Sequence, residues 1–346
     1  MPIPLGFLSF PTGGVSQFLA MGQYNQTALG IAYEFSATGF GTRFADGLYQ
    51  SFPTYTEDIK FSSSGEEIAA ASEDYSPNIK ASRFTASGFG TVFAAPPSIS
   101  SNRANAVAFS KANDAVALGN NSSNQIQAWG WSSSGFGSKF SQPASWPNDR
   151  VYGIDWSPDD SAIVMSLDFN PYIIAYAWSG SGFGSKYSDP ASAASGYGRK
   201  LRFNPTGTQV VKPNAAFSPY VDAYAWNPGF GTKYSQPASG IPGGAHEVSF
   251  SPDGQHIAIA HGNSPYISAY NWSSTGFGSK HANPSSLPQP DSRGVNFDRS
   301  GKFVAVVGLS NPYVTAYEWN SGFGAKVTPP VTLPTRESFA VNFSPI

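Results

Sequence analysis

An all-β fold, a seven-bladed β-propeller of four-stranded antiparallel blades closed by the C-terminal strand, is what this 346-residue chain predicts. Three observations carry the prediction. The tripeptide Gly-Phe-Gly starts at residues 39, 88, 135, 182, 229, 276 and 322, and a spacing of 46 to 49 residues signals a repeat architecture. Each repeat also places an aromatic in its first strand (Phe61, Phe109, Trp156, Phe203, Phe250, Phe297, Phe343) and ends its third in Ala-x-x-Trp or Ala-x-x-Phe (Phe35, Phe84, Trp131, Trp178, Trp226, Trp272, Trp319). Finally, the strands are apolar on both faces: in YIIAYAW one side shows Tyr172, Ile174, Tyr176 and Trp178 and the other Ile173, Ala175 and Ala177. Such sheets must be covered on both sides, and a closed ring of blades does this.

Residues 244–281 give the elements in order. HEVSF alternates as a first strand, SPDG is a type I turn, and HIAIAH is a second strand with β-branched residues at every other position. NSPY turns into the third strand, YISAYNW, and after SSTG the short GFGSKH forms the fourth. The N-terminal candidate for a seventh first strand, Phe10, precedes its Gly-Phe-Gly by 29 residues where other copies use 25 to 27. Phe343 keeps the period better, so SFAVNFSP is expected to supply the innermost strand of the first blade. That blade is then shared between 15–56 and 338–346 in a single domain over 15–346, and 1–14 remain as an apolar arm.

These residues resemble the WD40-like propeller repeat: Val-x-Phe-Ser-Pro-Asp-Gly, an apolar strand, then a strand ending in Trp before a loop, over nearly the whole chain. The Gly-His dipeptide of that family is missing, and Trp is not regularly followed by Asp. The resemblance implies the fold, whereas propellers serve as scaffolds, lectins, lactonases and hydrolases, so function has to come from a site.

Charged residues are 12% of the chain, against about 25% in an average soluble domain, and the net charge is −2. Nothing there attracts nucleic acid. Cysteine is absent, which excludes disulfides and thiolate chemistry. No apolar run reaches 18 residues, so membrane insertion is not expected. MPIPLGFLSFPTGG lacks the basic region and cleavage site of a signal peptide.

The Gly-Phe-Gly block does not match a phosphate-binding loop, because an aromatic stands where a third glycine belongs and no glycine precedes the lysine. Its fifth residue is basic in six copies (Arg43, Lys139, Lys186, Lys233, Lys280, Lys326) and Val92 in the other. On an outermost strand these cations guard the edge against another sheet; the alternative is a peripheral site for anionic glycans or a docking partner.

Candidate chemistry is sparse. His246, His256, His261 and His281 fall in one repeat, but His256 and His261, five apart on a strand, point to opposite faces, so no metal site and no cofactor is expected. Asp159 and Asp160 are explained by turn chemistry, and Glu73, Asp74 and Asp168 are weak catalytic candidates in loops. One pattern stands out. A basic or basic-capable residue recurs four to seven positions before the first-strand aromatic: Arg103, Arg150, Arg199, His246, Arg293 and Arg336, with Glu57 and Asp58 breaking the series. In a ring these side chains should converge at one channel mouth and hold an anionic group; alternatively each pairs with a nearby acid or carbonyl.

From composition and the missing secretion signal, the expectation is a non-enzymatic virion protein of a phage, such as a capsid decoration or tail protein. The alternatives are a soluble lectin-like glycan binder, extracellular, and an intracellular, cytoplasmic interaction scaffold. Expected partners are other virion proteins or host-surface glycans, with residues 1–10 available for homo-oligomer contacts.

Overall fold

The computed structural model describes residues 17–25, 28–49, 54–73, 77–99, 102–121, 125–146 and 149–345. Among them all regular elements are β-strands, 29 in number. The chain opens with β1 (Gln17–Asn25), β2 (Ala28–Ser36), β3 (Gly39–Arg43) and the short β4 (Gly47–Tyr49). Then come β5 (Thr54–Phe61), β6 (Glu67–Ser72), β7 (Ile79–Thr85) and β8 (Gly88–Val92), followed by β9 (Ala104–Phe109), β10 (Ala115–Asn120), β11 (Ile126–Ser132) and β12 (Gly135–Lys139). The next two groups are β13 (Val151–Trp156), β14 (Ala162–Leu167), β15 (Ile173–Ser179), β16 (Gly182–Lys186) and β17 (Arg202–Phe203), β18 (Gln209–Pro213), β19 (Val221–Trp226), β20 (Phe230–Lys233). The last are β21 (Ala245–Phe250), β22 (His256–His261), β23 (Ile267–Ser273), β24 (Gly276–Lys280), then β25 (Ser292–Phe297), β26 (Phe303–Gly308), β27 (Val314–Trp319), β28 (Phe323–Lys326), and finally β29 (Ser338–Phe343).

From β9 to β28 each group of four forms its own antiparallel sheet in chain order. The remaining strands form a curled nine-stranded sheet made of two such runs and β4, which pairs with β2. In one, β29 pairs antiparallel with β1 (Leu19 opposite Phe343, Gly22 opposite Ala340) and β1 continues into β2 and β3. The other is β5 to β8, joined to the first where Tyr24 and Asn25 pair with Tyr55 and Thr54. Thus the all-β class and the propeller-like repeat of four-stranded antiparallel sheets agree with the sequence reading, and first strands contact one another in the order β29, β5, β9, β13, β17, β21, β25 and back to β29. The 1–14 stretch and Asp74 lie outside the described residues.

First strands have free edges, and side chains of the neighbouring repeat cap them. Asp155 accepts from the Phe203 N–H (2.9 Å), Ser249 from Phe297 (3.0 Å), Asn296 from Phe343 (2.8 Å) and Asn342 from Phe61 (2.8 Å). Backbone donors buried beside the axis are thereby satisfied without a continuous ladder.

Gly-Phe-Gly is packing chemistry. Its Phe183 meets Trp178 edge to face at 4.9 Å, and Trp178 also meets Trp156 of the first strand at 5.3 Å and Phe140, from the preceding sheet, at 5.2 Å. Gly182 has φ 101° and a Cβ there would lie 3.0 Å from the Phe140 ring, so backbone conformation and the neighbouring sheet both demand glycine. One strand inward, Tyr176, Tyr224, Tyr270, Tyr317 and Tyr33 donate their hydroxyls to loop carbonyls of Ser145, Ser192, Gly240, Ser286 and Thr332. Where Trp129 replaces the tyrosine, its indole N–H reaches the Pro97 carbonyl at 2.9 Å and does the same job.

Candidate functional site

The site begins with a repeated irregularity. In six of the first strands the register slips by one residue against the second strand, between Thr56 and Asp58, Val151 and Gly153, Ala245 and Glu247, Ser292 and Gly294, and opposite Gly119/Asn120 and Gly22/Gln23. The extra residue of each bulge is Glu57, Tyr152, His246, Arg293, Asn105 or Phe339. Each stands four positions before its strand's aromatic. A bulge breaks the alternation of sides and re-aims its side chain. The remaining sheet reaches the same result differently: its first strand shrinks to Arg202–Phe203, leaving Arg199 and Lys200 ahead of it. These seven side chains, with Lys200, line one cavity of about 210 Å³ at the end of the channel.

The cavity is cationic and sheltered. Arg199 stacks its guanidinium 4.9 Å above the Tyr152 ring, and Arg293 reaches His246 at 3.3 and 3.4 Å while pairing with Asp291 at 2.9 Å. The Nε–H groups of both arginines are buried without an acceptor. Burial first, then the charges of Arg293, Arg199 and Lys200, holds His246 well below the ordinary imidazole value, so it is neutral at neutral pH. Burial pushes the Glu57 carboxyl upward, against the pull of Lys200. Further along the first strands, Lys60 bridges Asp58 (3.0 Å) and Glu247 (3.4 Å), and Arg202 also pairs with Glu247, forming a buried charge cluster. Lys200 donates to the Phe339 carbonyl at 2.6 Å.

The loop carrying Arg199 is stapled from behind. Lys212, fully buried, donates to the carbonyls of Ser195 (2.7 Å) and Gly196 (3.1 Å), and Asp222 accepts from the Ser195 N–H (2.7 Å) and hydroxyl (3.0 Å).

Of the six residues that the sequence assigns to the mouth, the structure brings together Arg199, His246 and Arg293. The other three are corrected. Arg103 pairs with Glu73 at 3.5 Å, Arg150 pairs with Asp168 at 3.4 Å, and Arg336 is exposed on the loop before β29; none of them lines the cavity. The physical reason is register: these three lie six or seven positions before the aromatic, outside the bulge. Glu57, which interrupts the basic series, is a cavity residue, and Asn105, Tyr152, Lys200 and Phe339 go unrecognised in the sequence. A fixed offset of four from the aromatic would have found all but Lys200.

The edge cations do not gather. Each faces the third-strand ring across the ladder, as Lys139 faces Trp129 and Lys280 faces Tyr270, whereas Val92 faces Ser82. Arg43 pairs with Asp46, Lys186 with Asp189 (2.6 Å) and Lys233 with Asp222 (2.7 Å), and Lys326 reaches the Leu287 carbonyl at 3.4 Å. The remaining histidines serve packing: His256 lies 3.2 Å from His281, both against Trp319, and His261 bonds Ser268 and the Asn263 carbonyl. Among the described residues no group of three or more His, Asp or Glu is placed to hold a metal ion.

No family model and no curated protein matches the chain. Solved structures do match its fold. A chain from Bacteroides uniformis provisionally named a 6-phosphogluconolactonase is 16% identical, with a TM-score of 0.75 over 95% of this chain and 99% of its own. One from Bacteroides fragilis with the same provisional name is 13% identical, TM-score 0.77, over 97% and 99%. A protein from Lactobacillus plantarum is 17% identical, TM-score 0.70, over 95% and 99%. These likenesses concern the fold. They correct the expectation of a non-enzymatic phage virion component, since two of these neighbours carry an enzyme's name and none is a phage protein. The low charge and abundant Ser, Asn and Gly that prompted it come from the demands of buried sheets and tight turns.

Proposed function

We propose that residues 15–346 form one seven-bladed propeller closed by β29, and that its axial mouth hydrolyses a small anionic lactone or ester, the reaction class named for the two Bacteroides neighbours. The observation that carries this reading is the set of bulges that aims His246, Arg293 and Glu57 into one cavity, joined there by Arg199 ahead of the shortened strand Arg202–Phe203. The arginines, with Lys200, would hold a phosphate or carboxylate by charge-assisted hydrogen bonds. Neutral His246 can take a proton from water as it attacks the ring carbonyl, and Glu57, whose burial favours the protonated form, can return one to the departing ring oxygen. The products are the open hydroxy acid and the enzyme in its starting protonation state once the proton has passed back through solvent.

The test is hydrolysis of 6-phosphogluconolactone by the purified chain, followed as acid release above the spontaneous rate. His246→Gln should lower kcat by about 10²-fold or more, and Arg199→Ala should raise KM about tenfold, with salt weakening binding in the unaltered protein. No acceleration over a panel of phosphorylated and carboxylated lactones and esters, or variants indistinguishable from the parent, overturns the proposal.

A further inference from the structure

Beside the mouth, three connections place aromatic rings in solvent. Phe169 lies between β14 and β15, Phe217 between β18 and β19, and Tyr197 between β16 and β17; they are 59%, 55% and 39% exposed. No other aromatic ring among the described residues is as exposed as the two phenylalanines. They form a row, with Tyr197 at 6.4 Å from Phe169 and 5.9 Å from Phe217. Contiguous exposed apolar surface on a folded chain marks a place where something binds.

The backbone that carries the row is held by hydrogen bonds. Asn214 Oδ1 accepts from the N–H groups of Ala216 (3.2 Å) and Phe217 (2.9 Å), and Asp149 accepts from the Phe169 N–H. Gly198 donates to the Leu167 carbonyl at 2.8 Å, and the Lys212 staple grips the residues just before Tyr197. Loops ordered before binding lose little entropy when a ligand stacks on the rings they carry.

The row also adjoins the cationic cavity along the chain, because Tyr197 and Arg199 are separated by a single glycine and Arg199 lines the mouth. We propose that the ligand of the mouth is an aryl-bearing anion, its phosphate or carboxylate between Arg199 and Arg293 and its flat aromatic arm lying along Phe169, Tyr197 and Phe217. This rests on the anion-binding part of the reading above. Cationic donors beside an uncharged aromatic row complement a molecule with one anionic end and one aromatic end, whereas a bare phosphosugar leaves the row uncovered.

The experiment compares inorganic phosphate with 1-naphthyl phosphate by titration calorimetry, on the full parent chain, on Phe169→Ser/Phe217→Ser and on Arg199→Ala, with unchanged thermal midpoints as the folding control. The parent should bind naphthyl phosphate about tenfold more tightly than phosphate. The double serine variant should lose that advantage while keeping its phosphate affinity, and Arg199→Ala should weaken both ligands. Equal affinity for the two ligands, or an advantage that survives the serine substitutions, overturns the aromatic arm alone. No binding of either overturns the anion site and the arm with it. An aryl advantage in a chain that hydrolyses no lactone sustains the inference and overturns the hydrolytic reading, and serine substitutions that only abolish self-association, seen by sedimentation, reassign the row to contacts between copies.

Discussion

Replacing Lys212 with Met tests how a buried charge is held behind the mouth. The Lys212 side chain is 0% exposed, donates to two carbonyls and lies 3.5 Å from Asp222. Burial, offset in part by Asp222, pulls its pKa from 10.5 to about 8. Between these values the unfolded chain binds a proton that the folded chain has released, so folding stability rises with pH across that window and the increment is absent below it. Each pH unit above the folded value adds about 1.4 kcal/mol, which amounts to roughly 2 kcal/mol by about pH 9.5. Methionine matches the length of lysine and does not titrate, and Asp222 keeps Lys233 at 2.7 Å and both donors of Ser195. Urea unfolding of parent and Lys212→Met at about pH 7 and 9.5 should therefore show the parent gaining roughly 2 kcal/mol on the variant. A gap that stays constant within about 0.5 kcal/mol, or narrows, refutes the reasoning.

Three further outcomes are expected. Trp178→Ala, which empties the centre of a four-ring cluster, should cost about 3–5 kcal/mol in chemical denaturation, and a loss under about 1 kcal/mol would show that the cluster is not a keystone. Gly182→Ala, at φ 101° with Phe140 in the way, should cost about 1–3 kcal/mol, read as a lower melting temperature. Because His246 stays unprotonated well below the ordinary imidazole value, the acid limb of kcat/KM should lie below neutral pH; Arg293→Ala removes a charge that depresses it and should move that acid limb upward, and an acid limb that does not move excludes His246 as the titrating base.

By itself the sequence determined the repeat and most of what the repeat needs. Period, two-sided apolar strands and the recurring Trp are local or periodic properties, and burial in stacked sheets leaves few other solutions; the glycines and Phe183 of the block at Gly182 follow from one neighbour-to-neighbour contact copied around the chain. The sequence also carried a trace of the site, in the basic residues ahead of the aromatics, but a window of four to seven positions mixed two registers. Only the tertiary structure decided which of them meet. Bulges depend on how a first strand pairs with its second, a property of two segments at once, and they turned Glu57, Tyr152, His246 and Arg293 inward while leaving Arg103 and Arg150 beside the acids Glu73 and Asp168. Convergence of residues from different sheets, the burial that leaves His246 neutral, and the alignment of Phe169, Tyr197 and Phe217 are likewise set by distances between segments far apart in the chain, which no single stretch of residues encodes.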